Sequence, residues 1–346
     1  MALSSDRLLR AFRSEPVDRT PVWFMRQAGR YLPEYRALRR DRDVLETCRH
    51  PEEVVELTLQ PLRRMPLDGA IVFSDITVPL AAIGLPIRIE PGRGPVIDEP
   101  VRTRSDLERL RPLEPEQDEP YVVEAIRELA ATLSVPLIGF AGAPFTLASY
   151  LVEGGPSRDH ARTKALLFGD EATWARLMEA LGSIVVAHLR AQVAAGARAL
   201  QVFDSWAGAL APEDYERGVL PYMRRLFEAI ADLGVPVVHF GVGTGELLAS
   251  MRRAGGSVIG VDHRVPLDVA WERVGTDVAI QGNLDPAALL APWEVVERRA
   301  RDVLARAGGR DGHVFNLGHG VLPETPVEHL QRLVELVHRV SERTTA

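Results

Sequence analysis

Two arginines, Arg26 and Arg30, stand four residues apart in PVWFMRQAGRYLPEYR, flanking a Gln27-Ala28-Gly29 turn. A guanidinium fork grips a carboxylate through two parallel hydrogen bonds, so this loop suits an anionic small molecule. In an arginine-rich chain the plain alternative is a pair of solvated charges. Asp75, in AIVFSDITVP, ends an apolar run. A carboxylate held partly out of water there can stabilise a cation or accept from N–H groups, while capping the next helix is its competing use. Tyr150 follows the small-residue stretch of GFAGAPFTLASYLVEGG by about two helical turns, where it can lie over a bound ring or pack in the core. Ser205 in QVFDSWAG lacks the glycine-flanked elbow of a nucleophile and reads as a hydrogen-bond donor. His319, between glycines in NLGHGVLPETP, can bond a carboxylate, move a proton near neutral pH, or simply close a turn.

These residues need a scaffold that brings distant loops together. Eight short apolar runs alternate with segments of helical period: Val22-Met25, Ala70-Asp75, Pro136-Gly142, Ala199-Asp204, Pro236-Gly241, Ser257-Asp262, Val278-Gly282 and His313-Leu317. Repeated strand-helix units of this number predict an α/β fold, a single (β/α)8 TIM-type barrel occupying residues 1–346. Such barrels place chemistry on the loops at the C-terminal ends of the strands, which is where Arg26, Asp75, Ser205, Asp262 and His319 fall. The main departure is Leu85 to Pro120, where IRIE and PVIDEPV around PGRG read as a hairpin excursion after strand 2, followed by a charged helix near Ser105-Leu110.

Composition narrows the chemistry. Cys48 is the only cysteine, so an internal disulfide and a multi-cysteine zinc or iron–sulfur site are excluded. Lys164 is the only lysine, which leaves one residue for Schiff-base chemistry. A net charge of −7 speaks against nucleic acid as a partner. No unbroken apolar run reaches the roughly 18 residues of a membrane span, and the charged N-terminus lacks a leader pattern, so a cytoplasmic location is expected. FGVGTGELL has Glu246 where a dinucleotide fingerprint needs its third glycine. Asp262, His263, Asn283 and Asp285, in VDHRVPLD and QGNLDP, could ligate a metal through oxygen, but closing turns is the commoner task.

Taken together, PVWFMRQAGRYLPEY and GFAGAPFTLASYLVEGG, followed in order by FDSWAG, VDHRVPLD, QGNLDP and NLGHGVLPETP, closely resemble the uroporphyrinogen decarboxylase family from about Arg7 to Val337. The resemblance implies a distorted barrel, a homodimer, and removal of the four acetate carboxyls of uroporphyrinogen. It also implies catalytic roles for Asp75, Arg26, Arg30, Tyr150 and His319, with Gln27, Ala28, Gly29 and Ser205 completing the substrate contacts. Decarboxylation needs an electron sink, and a protonated pyrrole supplies its own, so neither cofactor nor metal is expected. The proton donor stays open between His319 and a bound water. Two rivals are a methyltransferase with cysteine-ligated zinc, against which the lone Cys48 argues, and a tetrapyrrole carrier without catalysis.

Overall fold

The computed structural model describes residues 3–39, 42–90 and 92–343. Its strands are β1 (Ala70–Ile71), β2 (Ile87–Glu90), β3 (Gly94–Ile97), β4 (Leu137–Gly142), β5 (Ala199–Asp204), β6 (Val237–Gly241), β7 (Val258–Gly260), β8 (Ala279–Gln281) and β9 (His313–Val314). Seven of them form one parallel sheet in the order β1-β4-β5-β6-β7-β8-β9, with helices in the connections. β4 and β5 are nearly continuous apolar runs because both faces of a barrel strand are covered.

The expected first strand closes this sheet in an unusual way. Residues 21–25 lie between β9 and β1 but contribute only a single parallel bridge, Val22 to Phe315. Side chains replace the missing ladder. Asp68 Oδ2 accepts from Val22 N at 2.8 Å, Gln27 Oε1 from Phe24 N at 3.2 Å, and Asn316 Oδ1 from Met25 N at 3.2 Å. β1 is equally short, because past Val72 the Phe73 amide turns to the Thr58 hydroxyl at 2.9 Å. Inside the barrel, Trp23 Nε1 donates to Gln281, whose amide donates in turn to Gln201, so a buried polar chain crosses from segment 21–25 through β8 to β5. Above it, Phe203 meets Phe140 and Phe240 edge to face, with ring centres 5.4 and 5.9 Å apart.

β2 and β3 pair antiparallel, from Ile87 opposite Ile97 to Glu90 opposite Gly94, outside the main sheet. The charged helix expected at Ser105-Leu110 is one short 3-10 helix, Arg104–Arg109, started by a reciprocal Thr103–Asp106 capping box. The excursion is fastened to the helix that carries Tyr150: Val101 N donates to Leu151 O at 2.9 Å, and Ile97 N to Gly154 O at 3.1 Å.

The helix Glu171–Ala195 has the length and apolar content of a membrane span, although Arg176, Glu179 and Arg190 interrupt its apolar sequence. Its apolar face is core: Leu177, Leu181, Ile184, Val185 and Leu189 are buried against the barrel.

Candidate active site

Arg26 follows the bridged segment in a left-handed backbone conformation, φ +59°, which is uncommon for a residue with a side chain and concentrates at functional sites. Its aliphatic stem runs beside Gly320, where any side chain would collide with it. Arg26 and Arg30 are both exposed. Nearby Arg42 and Arg64 are paired with Glu53 and Glu34, whereas neither Arg26 nor Arg30 has a carboxylate partner among the described residues. Several other arginines among the described residues also lack a carboxylate partner, so what sets Arg26 apart is its place, close enough for its charge to act on both Tyr150 and His319.

The turn between them divides its work. Gln27 is fully buried, with its amide bonded to Phe24 N and Gly69 O and its carbonyl accepting from the Tyr31 hydroxyl at 2.7 Å. The Gln27 side chain therefore holds the loop's shape, and the surface offered to a ligand comes from the half-buried Ala28 and Gly29 and the two arginines.

Asp75 serves both uses that its sequence position allows. Oδ1 accepts from Thr77 N at 2.9 Å and from the Thr77 hydroxyl at 2.6 Å, closing the turn into the next helix. Oδ2 has no partner among the described residues, and the residue is half-buried, so one oxygen fixes the carboxylate while the other is left without a protein donor. Cys48 lies close by and is buried. Burial first, and Asp75 second, push its thiol up to about 12, which leaves no thiolate for chemistry at neutral pH.

Tyr150 sits on the helix Pro144–Glu153 and stacks on Trp206, with ring centres 4.0 Å apart and planes inclined by 34°. Burial raises its phenol pKa, the Asp75 charge raises it further and Arg26 opposes both, so the hydroxyl keeps its proton and stays a donor. One turn earlier, the Thr146 hydroxyl donates to buried Asp204 at 3.3 Å and accepts from Trp206 N at 3.4 Å. That contact ties the Tyr150 helix to the end of β5, where Ser205 is half-buried. His160 also packs on Trp206, its ring centre 4.8 Å away. Trp206 and His160 are thus parts of the site that their sequence motifs do not announce: aromatic residues after a strand are ordinarily core.

His319 completes the mouth beyond β9. Its Nδ1 accepts from Gly320 N at 2.7 Å, which puts the ring proton on Nε2. Burial first, then Arg26 and the neighbouring His263 and Arg264, lower its pKa to about 4. At neutral pH it is a neutral donor, and the shuttle expected of an unperturbed imidazole requires an anionic ligand that raises the pKa again. Asp262, His263, Asn283 and Asp285 do not converge as ligands: Asp285 caps a 3-10 turn through Ala287 N at 2.9 Å, and Asp262 accepts from Gly243 N at 2.6 Å. Cavities of about 200 and 340 Å³ open beside Leu133–Leu137 and beside Arg19 and His338, at the N-terminal end of the barrel, the face that carries stability rather than chemistry.

Comparison with known proteins gives the family of the chain. The family described as Uroporphyrinogen decarboxylase (URO-D) matches residues 3–340. A uroporphyrinogen decarboxylase from Streptomyces griseus is 59% identical over 343 residues, covering 99% of this chain and 94% of that protein. One from Thermus thermophilus is 54% identical over 341 residues, covering 99% and 100%. Among solved structures, a methyltransferase from Methanosarcina mazei aligns with a TM-score of 0.81 at 21% identity, over 98% of this chain and 99% of that one, a likeness of fold alone. By the extent and identity of these matches, the chain belongs to the uroporphyrinogen decarboxylase family.

Proposed function

We propose that this chain converts the four acetate side chains of uroporphyrinogen III into methyls, giving coproporphyrinogen III and four CO2 in tetrapyrrole biosynthesis. The observation that carries the reading is that Arg26 and Asp75 act on the same Tyr150 at one barrel mouth, with only one oxygen of Asp75 engaged by the protein. An octa-carboxylate can approach a protein of net charge −7 only where cations are concentrated, and Arg26 and Arg30 supply them.

The chemistry runs through the pyrrole. A proton adds to the ring carbon beside the acetate-bearing carbon and makes the ring cationic. The bond to the carboxylate then breaks, CO2 departs, and the released electron pair neutralises the ring. A second proton adds to the exocyclic carbon, the first leaves the ring, and a methyl remains. Asp75 Oδ2 accepts from the pyrrole N–H and attracts the cation more strongly than the neutral ring, which is the direction that accelerates reaction. At about 4 Å and an effective dielectric near 20, that attraction is worth about 4 kcal/mol, enough for roughly a thousandfold in rate. Tyr150 donates its hydroxyl beside the ring, Ser205 hydrogen-bonds the substrate, and Arg26, Arg30, the backbone of residues 27–29 and His319 Nε2 hold side-chain carboxylates. Once a substrate carboxylate lies against His319, its pKa rises and it can act as an acid; a bound water is the other donor.

The same reading makes the protein one barrel unit over residues 1–346 and a cytoplasmic homodimer; sedimentation at twice 38.1 kDa supports the dimer, and sedimentation at 38.1 kDa removes it. The direct test is anaerobic incubation with uroporphyrinogen III and separation of the oxidised products by carboxylate number. Stepwise passage from eight carboxylates to four supports the reading. Binding with no loss of CO2 leaves a tetrapyrrole carrier.

A further inference from the structure

The loop after β7 carries a third arginine whose arrangement differs from the ion pairs elsewhere on the surface. Asp262 is buried, its side chain 2% exposed, while the Arg264 side chain is 56% exposed. Both oxygens of the aspartate are engaged: Oδ1 accepts from Arg264 N at 3.1 Å, and Oδ2 accepts from Gly243 N and from Arg264 Nη1. Asn283, at the end of β8, braces the same loop from both sides, donating to Asp262 O at 2.8 Å and to Val265 O at 2.7 Å. The guanidinium is therefore fixed at one nitrogen, while Nη2 and Nε have no partner among the described residues. A buried carboxylate holding one edge of an exposed arginine leaves the opposite edge oriented and free, the geometry a fork needs to receive a second carboxylate.

Its position supplies the ligand class. The His319 loop packs directly on this one: a side chain at Gly318 would strike the His263 backbone, and one at Gly320 would strike Arg26. Arg26, His319 and Arg264 consequently follow one another along a single arc of the mouth. We propose that Arg264 is a substrate-binding residue that takes a propionate carboxylate of the macrocycle, a proposal that rests on the decarboxylase reading above. Propionates are retained through all four rounds of decarboxylation, so a rim cation that holds one contributes equally to each round.

The test compares wild type with Arg264→Gln and Arg264→Lys, using uroporphyrinogen III and, separately, the pentacarboxylate intermediate. Arg264→Gln should raise KM roughly five- to twentyfold for both substrates while kcat stays within about twofold, the reduced effect expected of a partly solvated charge-assisted contact. Arg264→Lys should recover part of the loss, and the dependence of log kcat/KM on log salt should become shallower in Arg264→Gln. An unchanged KM in Arg264→Gln overturns the proposal, as does a fall in kcat accompanied by a lower melting temperature in both variants, which makes Arg264 a brace for Asp262 only. A KM effect with uroporphyrinogen that vanishes with the pentacarboxylate also overturns it, by assigning Arg264 to an acetate. Wild type that releases no CO2 defeats the decarboxylase reading itself, whereas active wild type with an indifferent Arg264→Gln defeats only this inference.

Discussion

The arc of the mouth formed by β1, β4 and β5 presents Asp75, Tyr150, Ser205 and Trp206, whereas the arc formed by β7, β9 and segment 21–25 presents Arg264, His319, Arg26 and Arg30. The first is aromatic and carries the negative charge. The second is cationic and offers hydrogen-bond donors. A macrocycle has the same division, a π-system with N–H groups at its centre and carboxylates at its edge, so the two arcs address two parts of one molecule. Under the proposed chemistry, positive charge develops on the ring beside Asp75 while the carboxylates meet the arginines, so loss of Asp75 is expected mainly in kcat and loss of Arg26 mainly in KM, with His319 contributing to rate where it donates the proton.

Substitutions can break that division. The largest effect is expected from Asp75→Asn, which keeps the turn-closing acceptor and removes the charge: kcat should fall by about 10²–10³, with KM nearly unchanged, in steady-state assays. Arg26→Ala should lower kcat/KM by roughly 10- to 100-fold, mostly through KM, because it deletes charge-assisted contacts to the substrate edge. If KM stays put and kcat collapses instead, Arg26 belongs with the ring-facing arc. Trp206→Ala removes the ring on which Tyr150 rests, and aromatic pairs of this kind are worth about 0.5–1.5 kcal/mol, so kcat should drop by roughly two- to tenfold. Trp206→Phe should recover most of it; failure to recover points to the indole N–H or to global destabilisation.

The smallest expected effect concerns pH and distinguishes the mouth from the barrel below it. His319, and His313 at the start of β9, both have pKa values lowered to about 4, with burial the largest cause. Their unfolded values lie near 6.5, so between about 4 and 6.5 the unfolded chain binds more protons. The contribution of these two histidines to stability should be flat above pH 6.5 and decline as pH falls from 6.5 toward 4, measured as the urea midpoint. His313→Gln should remove part of that slope if it folds. A bound carboxylate ligand should reduce the part belonging to His319, since it favours the protonated imidazole there, and leave the part belonging to His313.

Some of this was legible in the sequence and some depended on three-dimensional neighbours. The runs that became β4 and β5 were readable because both faces of those strands are apolar. Val22-Met25 looked like an equal strand, but Asp68, Gln27 and Asn316 answer amides that a neighbouring strand would otherwise take. Asp75 could be placed at a strand end, while the split between its two oxygens depended on Thr77. For His319, type and position were evident, yet its tautomer follows from Gly320 N and its low pKa from burial and surrounding cations. Gln27 was expected among the substrate contacts, and its side chain is occupied in the loop interior. Arg264 was hidden by abundance, since nothing in VDHRVPLD separates a half-anchored arginine from the many that are simply solvated.

The division between the arcs is tested most directly by measuring kcat and KM for Asp75→Asn and Arg26→Ala side by side, anaerobically, on the same uroporphyrinogen preparation. The structure predicts that the loss appears in kcat for the first variant and in KM for the second. Losses distributed alike in both variants, or an Asp75→Asn enzyme turning over at the wild-type rate, would contradict it.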